Sequence, residues 1–272
     1  MRERIRKLVV YVLAILLCII FLLPFLIMIT GSLQDKYFFM GAPSQWITQP
    51  LTLKNFKIIL SRPHITRWFI NSAVISIIPT ITTVYIGALL GYVYAKKDFV
   101  GKTITFWLFL SMIMVPMQSY VIPRYVLFAK FNWINTYWAF LIPQAWDIVY
   151  FFLLKQYMVS IPDSLIESAK IDGASEMAIF HRIILPISKT SLAIVAVFTF
   201  ISRWNDLFYP LLFTTNAKMF PMTVGLASLL TQGGKFSFEM AGTVINFIPT
   251  FVVFVFMRKY FVQGIATTGM KN

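Results

Sequence analysis

The two histidines are the first residues to examine for chemistry in this sequence. A catalytic nucleophile needs a neighbouring base, and a metal site needs several nitrogen, sulfur or oxygen ligands. His64 and His181 both lie in segments between long apolar runs rather than inside them. The sequence therefore predicts no buried Ser-His pair, no histidine-ligated metal and no enzyme activity on this chain.

The tripeptide Gly101-Lys102-Thr103 resembles the end of a phosphate-binding loop. That loop requires another glycine five positions before its last glycine, and Lys96 occupies this position. The sequence therefore predicts no ATP site on this chain.

Four polar residues, Asp147, Arg203, Asn205 and Asp206, lie inside long apolar runs. An ionisable group at bilayer depth is costly and usually faces a helix-bundle interior or a water-filled path. One interpretation places Trp204, Asn205 and Asp206 beside a solute pathway, because an aromatic face with hydrogen-bonding groups suits a sugar-like molecule. The other is a local ion pair between Arg203 and Asp206, or a position near the outer interface. The residues alone leave both open.

Long apolar runs are the elements that must position these residues. The 272-residue chain is 58% hydrophobic and 12% charged, with a mean hydropathy of +0.76, which is outside the usual range of a soluble domain. A transmembrane helix needs about 20 apolar residues. The pattern predicts an all-α membrane protein with six transmembrane helices, at residues 8–30, 68–95, 103–123, 137–154, 190–216 and 240–257.

The basic residues predict which helix ends face the cytoplasm. Residues 1–7, 96–102, 155–189 and 258–272 together carry 14 Lys and Arg, whereas the other connecting segments carry 9. Cytoplasmic loops of membrane proteins are enriched in Lys and Arg. We therefore expect both termini and the long segment 155–189 to be cytoplasmic.

The chain has no Gly/Ser/Pro-rich linker, which predicts a single transmembrane domain over residues 1–272. Its two halves do not resemble each other, as they do in many secondary transporters. This observation weakens the hypothesis of a stand-alone secondary transporter or channel, which nevertheless stays open as the alternative function.

The connecting segment 161–186 is unusually long and apolar for a simple loop. Pro162 suits the first turn of a helix, and Ser164 with Glu167 has the spacing of a capping box. These signals predict a short helix that ends at about Ile171.

After a bend at Gly173, the pattern predicts a second helix from about Ser175, which Pro186 ends. Its apolar face would contain Met177, Phe180 or His181, and Ile184. The segment is therefore predicted to be a helix-turn-helix with an apolar stripe at the membrane surface. This stripe suits docking by another protein, and it suits equally a helix lying in the lipid headgroup layer.

The spacing within this loop resembles the E-A-A-x3-G-x9-I-x-L-P loop of ATP-binding-cassette importer permeases. The matching residues are Glu167, Ala169, Gly173, Ile183, Leu185 and Pro186, and Ser168 replaces the usual first alanine. The resemblance implies that residues 167–173 form a coupling helix that docks in a groove of an ATPase subunit. It also implies that Glu167 faces a basic partner there, and that Asp172 and Gly173 shape the turn.

Two further segments extend the resemblance over nearly the whole chain. Residues 204–211 (W-N-D-x3-P-L), with P-M-T-V-G-L at 221–226, resemble the fifth span and outer loop of carbohydrate-importer permeases. The tail R-K-Y-F-V-Q-G at 258–264, with Gly269 and Lys271, resembles the C-terminus of the second permease in maltose-type systems.

The resemblance implies one half of an alternating-access pathway for a carbohydrate, polyol or sugar phosphate in a bacterial or archaeal cytoplasmic (inner) membrane. The implied partners are a homologous second permease, two ATP-binding-cassette ATPase subunits and an extracytoplasmic solute-binding protein, besides membrane lipid. No cofactor is expected on this chain, since ATP and Mg would bind the partner ATPase. Nucleic acid is not an expected partner, because the basic residues are scattered among helix ends.

Overall fold

The computed structural model describes residues 2–35, 50–230 and 235–269, which form helices joined by turns. The α-helices are α1 (Arg2–Ser32), α2 (Lys54–Leu60), α3 (Ile65–Lys96), α4 (Lys102–Met112), α5 (Val121–Lys130), α6 (Trp138–Leu141), α7 (Ile148–Val159), α8 (Asp163–Ile171), α9 (Glu176–Ile179), α10 (Leu185–Ile187), α11 (Lys189–Trp204), α12 (Phe208–Phe213), α13 (Met222–Leu230) and α14 (Phe236–Gly269). Short 3-10 helices occupy Met117–Tyr120 and Ala217–Met219, and a π-helix occupies Phe180–Ile184.

Three helices of the described residues are long and apolar enough to cross a membrane by themselves: Glu3–Ser32, Ile65–Lys96 and Phe236–Tyr260. They contain the predicted spans 8–30, 68–95 and 240–257. The chain is thus a multi-pass membrane protein. Two further helix pairs are long enough only if each bent pair counts as one span, so the total of six spans stays a prediction.

The predicted span at 103–123 is sharply bent in the structure. The chain leaves α4 at Met112 and enters the next helix at Met117, with a bend of 92° between the two parts. Pro116 lies at this break in an extended conformation, with ψ of 139°. A proline cannot donate a backbone hydrogen bond and disfavours helical geometry in the residue before it, which accounts for a break here.

The predicted spans at 137–154 and 190–216 are also interrupted. In the first, α7 begins only at Ile148, where the Asp147 carboxylate accepts a hydrogen bond from the backbone N–H of Val149 at 2.9 Å. In the second, α11 ends at Trp204 and α12 begins at Phe208. The apolar runs predict the membrane-embedded segments but not their breaks, because polar side chains inside a run can cap helix ends.

The described chain divides into two compact units. One comprises Met1–Thr66 and Gly225–Ile248, and in it α1 meets the start of α14 where Gly31 faces Phe236 and Met240. The other comprises Arg67–Val224 and Pro249–Asn272 and contains the segment 161–186. The single permease domain stays a prediction, and Lys271 of the tail motif lies outside the described residues.

Helices α3 and α7 pack closely in the second unit because glycines line the contact. A Cβ atom on Gly91 would lie 3.1 Å from the backbone N of Lys155, and one on Gly87 would lie 3.3 Å from a methyl of Leu154. Small residues on one helix allow a neighbouring backbone to approach. The segment 161–186 packs against this helix pair.

Candidate functional site

The first helix of the segment 161–186 is α8, and it ends at Ile171, where the sequence predicts its end. Its start differs from the prediction. Pro162 is the residue before the helix, with no side-chain cap, and Ser164 lies within the first turn. Ser164 therefore does not form the predicted capping box, and its carbonyl instead accepts a hydrogen bond from the Ser168 hydroxyl at 2.8 Å.

Gly173 makes the turn that ends α8. Its φ is +78°, which is the left-handed region where a residue with a Cβ is strained. The N–H of Gly173 donates to the carbonyl of Lys170 at 3.0 Å, and that of Ala174 donates to Ala169 at 2.9 Å. This pattern satisfies carbonyls at the helix end, as glycine commonly does there. A Cβ atom at Gly173 would meet no atom within 4 Å, so backbone conformation alone requires glycine.

The second helix begins after Ser175, whose hydroxyl accepts a hydrogen bond from the N–H of Ala178 at 3.3 Å. The helix widens into a π-helical turn at Phe180–Ile184 before it reaches Pro186, which lies within α10. Pro186 therefore does not end the second helix as predicted. A proline ring crowds the carbonyl four residues earlier, and a widened turn relieves that crowding.

The inner face of the segment is part of a hydrophobic core with α3 and α7. Its buried members are Ile161, Ile166, Ala169, Ile179, Phe180 and Ile184, which join Ala88 and Tyr92 of α3 and Leu154 and Met158 of α7. Phe180 is fully buried, and burial of such a side chain contributes about 1.5–3 kcal/mol. The predicted apolar stripe is wrong at Met177, which is 50% exposed. The segment is thus fastened to α3 and α7.

Lys96, the last residue of α3, fastens the start of the segment. Its Nζ donates to the carbonyls of Val159 and Ile161, and it lies 2.8 Å from the carboxylate of Asp163. The Lys96 side chain is only 5% exposed. Although Lys96 belongs to α3, its ammonium group lies beside the C-terminal end of α7. It satisfies carbonyls that this helix end leaves without a partner, and its charge interacts favourably with the helix dipole.

Lys97 fastens the second helix of the segment by an ion pair with Glu176. The Tyr92 hydroxyl donates to the same carboxylate at 2.9 Å, and Lys170 of α8 lies 3.4 Å from it. The hydrogen bond from Lys97, followed by that from Tyr92, holds the pKa of Glu176 below its ordinary value, although partial burial acts in the opposite direction. Glu176 thereby links α3, α8 and α9.

The outer face of the segment is polar with one apolar tip. Glu167, Ser168 and Asp172 are exposed, and no cation of the described residues lies within 4 Å of the Glu167 carboxylate. Ile171 is 87% exposed beside them. An isoleucine in water at the end of a well-packed segment is unfavourable in the isolated chain.

The residues of the predicted coupling motif therefore fall into two groups. Ala169 is buried, and Ile183 and Leu185 pack against the core, so they hold the segment in place. Glu167, Ser168, Asp172 and Gly173 form the exposed tip. Pro186 belongs to neither group and is exposed.

A polar cleft of about 480 Å³ lies at the helix breaks of the second unit. Its charged lining consists of Arg124, Asp147, Arg203 and Asp206. Tyr120, Gln144, Trp146 and Tyr209 also line it. Aromatic faces beside charged and amide groups are the chemistry that a sugar-like ligand requires.

Arg203 pairs with Asp147 across this cleft. Its Nη2 lies 3.7 Å from the Asp147 carboxylate, which belongs to a different helix. The local pair with Asp206, the alternative that the sequence leaves open, is not among the salt bridges of the described residues. The Nε of Arg203 is buried without a hydrogen-bond partner among those residues, whereas the Arg203 side chain as a whole lines the cleft.

Of the three predicted pathway residues, only Asp206 lines the cleft. Trp204 is 2% exposed and stacks on Phe200, with ring centroids 5.6 Å apart. Asn205 donates from its amide to the carbonyl of Ile201 at 2.9 Å, at the end of α11. Asp206 accepts a hydrogen bond from the N–H of Tyr209 at 3.1 Å. The three residues thus shape the break between α11 and α12.

Sequence reasoning singles out Asp147 and Arg203 but misses Arg124 and the contacts that Lys96 and Lys97 make. The guanidinium of Arg124 lies 4.6 Å from the ring centre of Tyr120 and 5.6 Å from that of Tyr209. Its position just after Pro123, at the end of a predicted span, is the signal that could have found it. The described residues contain no cluster of three or more His, Cys, Asp or Glu that could hold a metal.

The fold belongs to the class found in ATP-binding-cassette transporters. It resembles the crystal structure of a bacterial ABC transporter involved in the import of the acidic polysaccharide alginate, with a TM-score of 0.81, over 95% of this chain and 97% of that one. Sequence identity is 20%, so this likeness establishes the fold alone.

Residues 84–267 match the family described as the binding-protein-dependent transport system inner membrane component. The chain belongs to that family, and it is a permease subunit of an ATP-binding-cassette importer. The resemblance that the loop motif predicts is confirmed.

Three named relatives agree with this assignment. The chain is 33% identical over 279 residues to the trehalose/maltose transport system permease protein MalG of Thermococcus litoralis, covering 100% of each. It is 34% identical over 224 residues to the arabinooligosaccharides transport system permease protein AraQ of Halalkalibacterium halodurans, covering 82% of this chain and 80% of that protein. It is 32% identical over 199 residues to the sn-glycerol-3-phosphate transport system permease protein UgpE of Yersinia pestis, covering 72% and 71%.

Proposed function

We propose that this chain moves a carbohydrate or a related polyol or sugar phosphate across the cytoplasmic membrane, as one of two permease subunits. The relatives named for trehalose/maltose, arabinooligosaccharides and sn-glycerol 3-phosphate support this class of solute. The observation that carries the mechanism is the division of the segment 161–186 into an inner face fastened to α3 and α7 and an exposed outer tip.

The exposed tip docks in a groove of an ATPase subunit, with Glu167 facing a basic residue there and Ile171 entering an apolar part of the groove. A buried isoleucine and a desolvated ion pair are typical anchors of a protein interface. Because the inner face is fixed to α3 and α7, a push on the tip moves both helices with it. The loop thus transmits movement of the ATPase to the membrane-embedded helices.

ATP and Mg bind the partner ATPase subunits, and a homologous second permease completes the pathway. Closure of the two ATPases on ATP drives the permease pair from the inward-facing to the outward-facing state, and hydrolysis resets it. A solute-binding protein delivers the solute from the outer side. The loop and both chain termini lie on the cytoplasmic side, in agreement with the excess of Lys and Arg there.

The cleft at Asp147 and Arg203 is where this subunit contacts the solute. The side chains of Asp147 and Arg203 provide hydrogen-bond acceptors and donors, and Trp146 and Tyr120 provide aromatic faces. Sugars expose hydroxyl groups around an apolar ring face, so both kinds of group are required.

Uptake by whole cells tests the proposal. A strain that lacks this gene receives the wild-type chain or the variant Glu167→Lys, and uptake of radiolabelled maltose, arabinotriose and sn-glycerol 3-phosphate is measured. We expect wild-type uptake of one of these probes that stops when the ATPase is inhibited, and loss of that uptake in Glu167→Lys at an unchanged membrane level of the chain.

The matched control is Glu3→Lys, which reverses the charge of an exposed acid outside the loop. It should leave uptake unchanged. Uptake that persists without ATP hydrolysis would show a stand-alone transporter or channel instead, and normal uptake by Glu167→Lys would refute the docking role of the tip.

A further inference from the structure

A second cavity, of about 260 Å³, lies where the ends of α3, α4 and α7 meet, close to the start of the segment 161–186. It is lined by Tyr94 and Ala95 of α3, Lys102, Thr103 and Phe106 of α4, and Lys155 and Val159 of α7. All three helices present here the ends that carry the excess of basic residues. The cavity is separate from the solute cleft, and its lining shares no residue with it.

The cavity carries an excess of positive charge. Its lining includes two lysines and no carboxylate. Lys102 donates to the carbonyl of Lys97 at 2.7 Å and pairs at 3.1 Å with Asp98, whose side chain is fully exposed to solvent. An ion pair with an exposed carboxylate of this kind is weak.

Lys155 has no carboxylate partner within 4 Å among the described residues. Its Nζ lies 4.8 Å from the ring centre of Phe106, so it is held over an aromatic face within the cavity. It is one helical turn from the end of α7 at Val159. A lysine at this depth reaches toward the headgroup layer and favours an anion there.

The surface next to the cavity is suited to a hydrocarbon chain. On α4, Ile104, Trp107 and Leu108 are 69%, 65% and 59% exposed. Ile104 directly follows the cavity-lining residues Lys102 and Thr103, and Trp107 follows Phe106, so these apolar side chains lie on the same helix as the cavity. A ligand with an anionic group and an acyl chain would therefore contact both the lysines of the cavity and the apolar side chains of α4. A free anion would contact only the lysines.

We propose that the cavity between Lys102 and Lys155 binds the phosphodiester headgroup of an anionic membrane lipid, with an acyl chain along α4. Basic pockets between transmembrane helices on the cytoplasmic side are suited to acidic headgroups. The lipid would join the ends of α3, α4 and α7. The segment 161–186 packs against α3 and α7. The site is independent of which solute the importer carries.

Spin-labelled lipids test this site. The full-length chain is reconstituted in phosphatidylcholine vesicles, and the fraction of motionally restricted label is compared for phosphatidylglycerol and phosphatidylcholine. We expect the wild type to prefer phosphatidylglycerol, and Lys102→Gln with Lys155→Gln to reduce that preference by about twofold to fivefold per lysine. Lys155→Arg should retain it. Lys189→Gln, an exposed lysine outside the cavity, is the matched control.

An excess of inorganic phosphate identifies the source of the anion. If the lipid headgroup is the ligand, phosphate should reduce the preference no more than chloride at equal ionic strength. Displacement by phosphate alone would show a free-anion site and overturn the lipid proposal. An equal preference for phosphatidylglycerol in the wild type and the double variant would also overturn it. So would loss of the preference when the second permease is assembled, because the face of α4 would then be covered by a protein partner.

Discussion

The Nζ of Lys96 lies 2.8 Å from the carboxylate of Asp163, and this contact joins the last residue of α3 to the first residue of α8. The same ammonium group donates to two carbonyls at the end of α7. One side chain thereby connects α3 and α7 to the segment 161–186.

Replacing Lys96 by Met should therefore loosen the segment. The loss leaves two backbone carbonyls without their donor, and an unsatisfied buried group costs about 1–3 kcal/mol. We expect a lower midpoint of thermal unfolding for the purified chain and reduced uptake in cells. Lys189→Met, which changes an exposed lysine on the same side, should alter neither. Equal unfolding midpoints for Lys96→Met and the wild type would contradict the role of Lys96.

Gly173 should tolerate Asn but not Val. The position has φ of +78° and open space where a Cβ atom would lie, so the effect of a substitution depends on backbone strain rather than on a clash. Asn adopts this conformation with little strain, whereas a β-branched residue does not. Uptake should persist in Gly173→Asn and be lost in Gly173→Val, with both chains present in the membrane. Loss in both variants would show that the side chain itself obstructs docking.

Ile171 should be required for coupling and dispensable for folding. Because its side chain is 87% exposed, Ile171→Asp removes no packing in the chain itself and should change the free energy of unfolding by less than about 0.5 kcal/mol. It should nevertheless reduce co-purification with the ATPase subunit and ATP-dependent uptake. Ile171→Met keeps the apolar contact and should preserve both. Unimpaired co-purification of Ile171→Asp would exclude Ile171 as an anchor.

The ion pair of Glu176 with Lys97 should make stability fall on acidification. The pKa of Glu176 is held below its ordinary value of 4.5 in the folded chain, so the contact stabilises the fold above that value and is lost as the pH falls through the lowered one. Since Glu176 is half exposed, the contribution is below about 1 kcal/mol. The unfolding midpoint of Glu176→Gln should lie below that of the wild type at pH 7 and approach it near pH 3.

Exchanging the charges of Asp147 and Arg203 tests the solute cleft. Asp147→Asn leaves Arg203 without its carboxylate and should reduce uptake at least tenfold, about 1.4 kcal/mol in the transport step. Asp147→Arg combined with Arg203→Asp restores the pair and should recover part of the uptake. Trp204→Phe, which changes a buried ring outside the cleft, should affect the amount of folded chain rather than the apparent affinity for solute. An unchanged affinity in Asp147→Asn would argue against contact with the solute.

The sequence predicts the long apolar helices and the end of α8 correctly, because continuous hydrophobicity and a glycine after a short helix are local signals. It does not predict the break at Asn205, nor whether Pro116 kinks or breaks its helix. Whether a proline or a polar residue bends or breaks a membrane helix depends on the groups that satisfy the freed backbone, and these come from other parts of the chain.

The same limit applies to the candidate site. The spacing of Glu167 and Gly173 is visible in the sequence, but the contact of Lys96 with Asp163 joins residues 67 positions apart. From the sequence, Lys96 only helps to predict which helix ends face the cytoplasm. Trp204 is predicted to be a pathway residue, yet its ring is required for packing against Phe200.

The separation of inner and outer faces in the segment 161–186 bears on how such importers change their ATPase partners. Ile166, Ala169 and Phe180 are committed to the permease core, whereas the side chains of Glu167 and Ile171 are exposed. On the proposed docking role of this tip, a permease is matched to a different ATPase through changes at a few exposed positions, with its transmembrane architecture left intact. Redesign of that tip would then yield orthogonal permease–ATPase pairs, in which each permease is driven only by its own ATPase.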